Sequence, residues 1–173
     1  MADEASRRPA ELPQDELRRR FRFEEFSDFL LYERGLARST VRAYLADCAS
    51  LTAYVSKRGV GHPEAVGYDV LRAHLADLGD RGLSARSVAR SRSAIRTYFG
   101  FLVEEGHLSE DPTEKLESPR VNRTLPDVLS YSEVAIILDT VGALSPEAYA
   151  NGSRDAAMLE TLYGAGLRIS ELT

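Results

Sequence analysis

Between residues 41 and 55 the chain carries an apolar stripe with a helical period. Val41, Tyr44, Leu45, Cys48, Leu51, Thr52 and Val55 recur at i, i+3, i+4, i+7, i+10, i+11 and i+14. At roughly 100° per residue they cover about 120° of a helix surface, the width of a core-facing stripe. A helix over these residues must bury that stripe against other elements. Cys48 lies in its middle and reads as a small core residue. It is the single cysteine of the sequence, so these residues hold no intrachain disulfide and no cysteine-built metal site.

The flanking segments repeat the argument. Phe23, Phe26 and Leu30, with Phe29 on a flank, predict a helix that begins near Asp15 and stops at Gly35, a natural C′ residue. Ser39 is a good N-cap for the helix with the long stripe. Val70, Leu71, Leu75 and Leu78 predict a short third helix that ends in the glycine-bounded stretch 79–82. Ser84 caps a fourth, in which Val88, Ile95, Tyr98, Phe99 and Leu102 share one face and Gly106 ends the helix. Four helices with short connections and no strand pattern predict an all-α bundle. Residues 111–126 hold Pro112, Pro119 and Pro126 and read as an extended connector after a brief helical turn near Glu114. Ser130-Tyr-Ser-Glu133 is a capping-box pattern, opening a helix with Val134, Ile137, Leu138 and Val141. A loop over 142–153 precedes a last helix from about Arg154, with Ala157, Met158, Leu159 and Leu162. Residues 1–14 lack periodicity, carry Pro9 and Pro13, and read as a disordered tail.

Charge divides the chain. It has 22 basic and 27 acidic residues, a formal net charge of −5, which argues mildly against a nucleic-acid binder. Yet residues 34–98 hold eleven basic and five acidic side chains, and residues 99–173 five basic and thirteen acidic. A polyanion responds to the local field. The stretch 84–103 contains Arg86, Arg90, Arg92 and Arg96 and no acid. Arg86 and Arg90 fall opposite the apolar face, and Arg92 and Arg96 flank it. A solvated amphipathic helix fits this pattern, and so does a helix laid against a phosphate backbone or in the major groove. Arg18, Arg19, Arg20 and Arg22 are interspersed with Glu16, Glu24 and Glu25 and read as a solvated face. Twenty of the basic residues are arginine; guanidinium forks match phosphate, and a coding-composition bias gives the same excess. His62, His74 and His107 are far apart and form no ligand motif. The polar, charged stretch 1–20 and the lack of any apolar run of about twenty residues predict a cytoplasmic protein with no membrane partner.

The C-terminal stretch is chemically suggestive. An apolar helical segment, 158–163, runs into Gly164-Ala165-Gly166, which predicts a helix stop. Arg168 then opens a new segment, with Glu171 three residues on. A helix start and a guanidinium both suit phosphate oxygens. An arginine paired with Glu171 on an ordinary helix fits the same residues.

Leu162-Tyr-Gly-Ala-Gly-Leu-Arg-Ile-Ser-Glu-Leu172 resembles the box around the first catalytic arginine of the tyrosine recombinases, the phage-integrase and Xer family. Residues 26–47, FSDFLLYERGLARSTVRAYLAD, are similar to the start of the Xer core-binding domain, and 83–106 to its last long helix. Residues 111–120 and 125–130 resemble the interdomain linker. The resemblance implies an all-α protein. A SAM-like four-helix core-binding domain would occupy 15–107, a linker 108–128, and the first helices of a catalytic domain 129–173. It implies site-specific DNA recombination through a phosphotyrosine intermediate, without metal or cofactor, in the setting of chromosome-dimer resolution. Arg168 then matches the first phosphate-holding arginine, and Glu171 the acid that orients it. Thr40, Arg42, Arg86, Ser87, Arg90, Arg92 and Arg96, on the second and fourth helices, become candidate DNA contacts, joined by Arg120 and Arg123 in the connector. The implied partners are double-stranded DNA and a second recombinase protomer, identical or paralogous.

One departure stands against this agreement. After Arg168 the sequence has no His-x-x-Arg, no lysine and no tyrosine, and Tyr163 lies where the family has a structural aromatic. The chain as given is therefore expected to bind DNA without cutting it, with Arg168 mobile or displaced. Three readings follow. One is a shortened Xer-type recombinase. A second is a naturally short DNA-binding protein that modulates one. The third is a helical interaction domain without a DNA role. A phage or plasmid integrase would share most of the same motifs.

Overall fold

The structure, a computed structural model, describes residues 13–117, 128–143 and 150–172. All regular structure among them is helical. They fall in two compact units, 13–117 and 128–172.

The first unit opens with α1 (Gln14–Arg20) and α2 (Phe23–Asp28), the latter continuing as a π-helical turn, Phe29–Glu33. The sequence reading had one helix here. The chain breaks at Arg22, which takes a left-handed conformation, φ 50°. For a residue with a Cβ this costs about 1–2 kcal/mol. Burial offsets that cost, because the break sends both Phe21 and Phe23 inward with almost no exposure. The Arg22 guanidinium is held by Glu25 at 3.0 Å. The π turn brings Phe29 and Leu30 inward, and Gly35 at φ 60° ends it.

Helix α3 spans Arg38–Ser56, and its N-cap is Ala37, not Ser39. Ser39 is an exposed first-turn residue. Its hydroxyl is not needed, because the first turn is closed by the Ala37 carbonyl, which accepts from the Thr40 amide at 2.9 Å. The predicted stripe faces inward: Val41, Cys48, Leu51, Thr52 and Val55 are buried, and Tyr44 and Leu45 half-buried. Helix α4 (Tyr68–Asp80) and helix α5 (Ala85–Glu104) complete the unit. Ser84 caps α5 as predicted, its hydroxyl accepting from the Ser87 amide at 3.2 Å. Val88 is only half-buried, while Ser91, Ala94, Ile95, Tyr98, Phe99, Phe101 and Leu102 are buried. The unit's core joins Leu17 of α1, Phe21 and the phenylalanines of α2 and its π turn to α3 and α5, its most extensively paired helices. Tyr98 sits edge-on to Phe26, ring centroids 5.2 Å apart. The packed chain continues past α5, since Thr113 and Leu116, in the stretch read as connector, are buried with this unit.

The second unit holds α6 (Tyr131–Gly142), α7 (Gly152–Ala165) and the short α8 (Ile169–Leu172). The capping box forms: Ser130 Oγ accepts from the Glu133 amide, and Glu133 accepts from the Ser130 amide at 2.8 Å. These hydrogen bonds hold the Glu133 carboxyl below its ordinary pKa. Helix α7 starts at Gly152, two residues before the predicted start. It passes through Gly164 and stops at Gly166, whose φ of 64° is the left-handed conformation that glycine adopts freely.

Candidate nucleic-acid interface

Helix α5 supplies the basic face. Its first nineteen residues, 85–103, hold four arginines and no acid, and the apolar positions recur on one side, leaving the rest of the circumference to polar groups. The four do not share one fate. Arg86 and Arg96 are exposed, as is Arg42 on α3, and among the described residues these three make no ion pair or side-chain hydrogen bond. Arg90 instead donates from Nε to Asp47 Oδ2 at 2.9 Å and from Nη2 to Asp47 Oδ1 at 3.3 Å. Arg92 is half-buried and donates to the Leu116 carbonyl, from Nε at 3.0 Å and from Nη2 as well. That fork pins the segment after α5 back onto the helix.

Beside Arg92 and Arg96 runs an open groove of about 560 Å³, lined also by Arg34, Tyr44, Thr97 and Asp111. Most of its lining comes from α5, with Tyr44 the contribution of α3. Arg34 reaches Glu104 at 3.6 Å and lies over the Phe29 ring, 5.0 Å from its centroid. Thr97 Oγ1 donates to the Ser93 carbonyl of its own helix at 2.9 Å, which leaves the hydroxyl oxygen as an acceptor. The remaining candidates are uncharged. Ser87 is half-buried, its hydroxyl 3.0 Å from that of Ser84 in the helix cap. Thr40 is half-buried in the first turn of α3.

In the second unit, Arg168 and Glu171 are joined twice. The Arg168 amide donates to Glu171 Oε2 at 2.7 Å, and Arg168 Nη1 to Glu171 Oε1 at 2.9 Å. One carboxylate therefore caps the start of α8 and orients the guanidinium. The Arg168 side chain is otherwise 81% exposed. Tyr163, on α7, is also exposed. Arg120 and Arg123 lie outside the described residues.

Sequence reasoning missed Asp47 and the Leu116 carbonyl as partners of the α5 arginines. Asp47 gave one signal: it is the lone acid of α3 and adjoins Cys48 in the stripe. Nothing local pointed to a partner 43 residues away. Among the described residues no cluster of three or more His, Cys, Asp and Glu is placed to hold a metal, and no helix is long and apolar enough to cross a membrane.

Residues 23–106, from α2 through α5, match the phage integrase N-terminal SAM-like domain. The chain is 37% identical over 149 residues to proteins named tyrosine recombinase XerD in several strains of Staphylococcus aureus. The same identity over the same length holds for the tyrosine recombinase XerD of Staphylococcus saprophyticus subsp. saprophyticus. The aligned region covers 86% of this chain and 49% of each relative, so the chain spans about half the length of the curated relatives it matches.

Proposed function

The chain belongs to the tyrosine recombinase family and is of Xer type, and on that premise we propose that its first unit binds duplex DNA at a recombination site while its second contributes Arg168 to the strand-exchange centre. The observation that carries this reading is the set of three unengaged guanidinium groups, Arg42, Arg86 and Arg96, on the helices that frame the basic groove. Guanidinium groups without protein partners release counterions on meeting phosphates, the main source of affinity for duplex DNA.

The chemistry assigned to the second unit is phosphoryl transfer. A tyrosine hydroxyl attacks the scissile phosphate, a 3′-phosphotyrosyl bond forms and the 5′-hydroxyl leaves. Negative charge accumulates on the non-bridging oxygens of the pentacoordinate phosphorus. Arg168 donates to those oxygens, and Glu171 holds the guanidinium in a single orientation, so that little reorganisation accompanies the reaction. These 173 residues supply that one group; the attacking tyrosine is assigned to none of the eight tyrosines among them. The partners on this reading are double-stranded DNA and a second recombinase protomer, identical or paralogous, and the biological outcome is resolution of chromosome dimers.

Selection from a pool of random duplexes tests the reading. The chain is expected to enrich one short sequence at moderate salt, and that sequence is expected on the chromosome. Failure to retain any duplex at low salt would contradict DNA binding, and enrichment of sites confined to phage or plasmid DNA would replace chromosome-dimer resolution with integration.

A further inference from the structure

The α3–α5 seam holds one cross-helix ion pair, between Asp47 and Arg90. Asp47 is nearly withdrawn from solvent, its side chain 11% exposed, while that of Arg90 is half exposed. Both carboxylate oxygens are met by two nitrogens of one guanidinium. This fork-to-fork geometry fixes direction as well as distance.

The pair adjoins the core. Cys48, the next residue on α3, has its Sγ 4.0 Å from the Ala94 carbonyl, one turn beyond Arg90 on α5. The same seam continues outward: Tyr44 stands one turn before Asp47, and Ser93 and Thr97 follow Arg90 at i+3 and i+7. There it opens as the groove. The unengaged arginines are divided across this seam, Arg42 on α3 and Arg86 and Arg96 on α5. A slip of one helix by a turn moves its arginine by about 5.4 Å, far outside hydrogen-bond tolerance.

We infer that the Asp47–Arg90 pair is a register clamp for the two helices that meet DNA, with Arg90 a positioning residue acting through Asp47 and not a phosphate contact. The inference rests on the DNA-binding reading of this face. It also follows from what release would entail. For Arg90 to reach a phosphate it must leave a largely buried carboxylate unpaired, beside a polyanion. Arg42, Arg86 and Arg96 face no such penalty.

The full 173-residue chain tests this with two probes: a duplex selected by the wild-type protein from a random pool, and a scrambled duplex of equal composition. Asp47→Asn and Arg90→Gln are each expected to weaken binding to the selected duplex about tenfold and to the scrambled duplex by less than about twofold. The salt slope stays at the wild-type value, because no phosphate contact is lost. The double variant is no weaker than either single one, since both remove the same link. Arg90→Lys, which keeps the charge and loses the fork, falls between. Thermal midpoints read by circular dichroism confirm that each variant is folded at the assay temperature, and Asp47→Asn, nearly isosteric, carries the test if Arg90→Gln is not.

Tighter binding and a steeper slope in Asp47→Asn would overturn the inference, showing Arg90 to be a phosphate contact restrained by Asp47. A slope shallower by about one in Arg90→Gln would overturn it likewise. Equal losses on both duplexes would reduce the pair to a stability element and overturn it too. If the wild-type chain binds neither duplex, the DNA reading itself fails and the clamp with it, an outcome distinct from wild-type binding with indifferent variants.

Discussion

The Tyr98 hydroxyl donates to the carbonyl of Phe21 at 2.9 Å, across 77 residues of chain. Phe21 is the C-cap of α1, where carbonyls run out of helical partners. The phenol of α5 therefore satisfies a buried acceptor created by the break at Arg22. Burial holds Tyr98 neutral by raising its pKa. Tyr98→Phe keeps the aromatic packing and orphans the carbonyl, so it is expected to destabilise the first unit by about 1–3 kcal/mol. Urea denaturation read by far-UV circular dichroism measures this; an unchanged midpoint would show that water replaces the hydroxyl.

Cys48 is buried beneath α5, and burial first, with the charge of Asp47 second, pushes its thiol well above the ordinary range. The thiolate is the reactive form. A thiol reagent at neutral pH is expected to label the native chain only at the rate of unfolding, and the denatured chain at once. Rapid native labelling would contradict the packing of α3.

His74 is fully buried on α4, against the ring of Tyr54 at 5.0 Å, and neither ring nitrogen has a hydrogen-bond partner among the described residues. Desolvation, the largest cause, lowers its pKa from 6.5 to about 4. A lowered folded-state value means that the unfolded chain takes up the proton first. The stabilising effect is whole above about pH 6.5 and declines as pH falls toward 4, by up to about 3 kcal/mol. His74→Leu is expected to flatten this part of the stability–pH curve. An equally steep loss in the variant would assign the acid sensitivity to carboxylates.

Arg168 is held by Glu171 and otherwise open to solvent. In the recombination-competent protein, Arg168→Ala is expected to leave site binding intact and to slow cleavage by about two to three orders of magnitude, the usual effect of losing one oxyanion donor. Arg168→Lys rescues little, because an ammonium lacks the fork. Glu171→Gln is milder, since it loosens the orientation and keeps the charge. A nicked suicide substrate, which traps the covalent adduct, measures all three. Wild-type trapping in Arg168→Ala would remove Arg168 from the centre.

Much of the first unit was legible because its determinants are local. Each member of the Val41–Val55 stripe turned inward because helical spacing alone decides which face is apolar. The cap at Ser84 and the box at Ser130–Glu133 were legible for the same reason, as was the pairing of Arg168 with Glu171. The break at Arg22 was not. It follows from the need to bury both Phe21 and Phe23, and no residue there signals a left-handed turn. Ser39 misled because a residue suited to capping is not required where a backbone carbonyl already closes the turn. Treating the α5 arginines as one surface missed the engagement of Arg90 and Arg92 by partners distant in sequence, Asp47 and Leu116, which only the packed helices bring near.

On the proposed reading Arg42, Arg86 and Arg96 meet the phosphates of a duplex. The most direct measurement is the dependence of duplex affinity on salt concentration, by fluorescence anisotropy, for the wild-type chain and for the triple variant Arg42→Ala, Arg86→Ala, Arg96→Ala. All three side chains are exposed, so their removal leaves the core untouched. In the triple variant the log–log slope is expected to become shallower by about three, near one for each lost phosphate contact, and in single variants by about one each. A triple variant that binds with the wild-type slope and affinity at every salt concentration would contradict it.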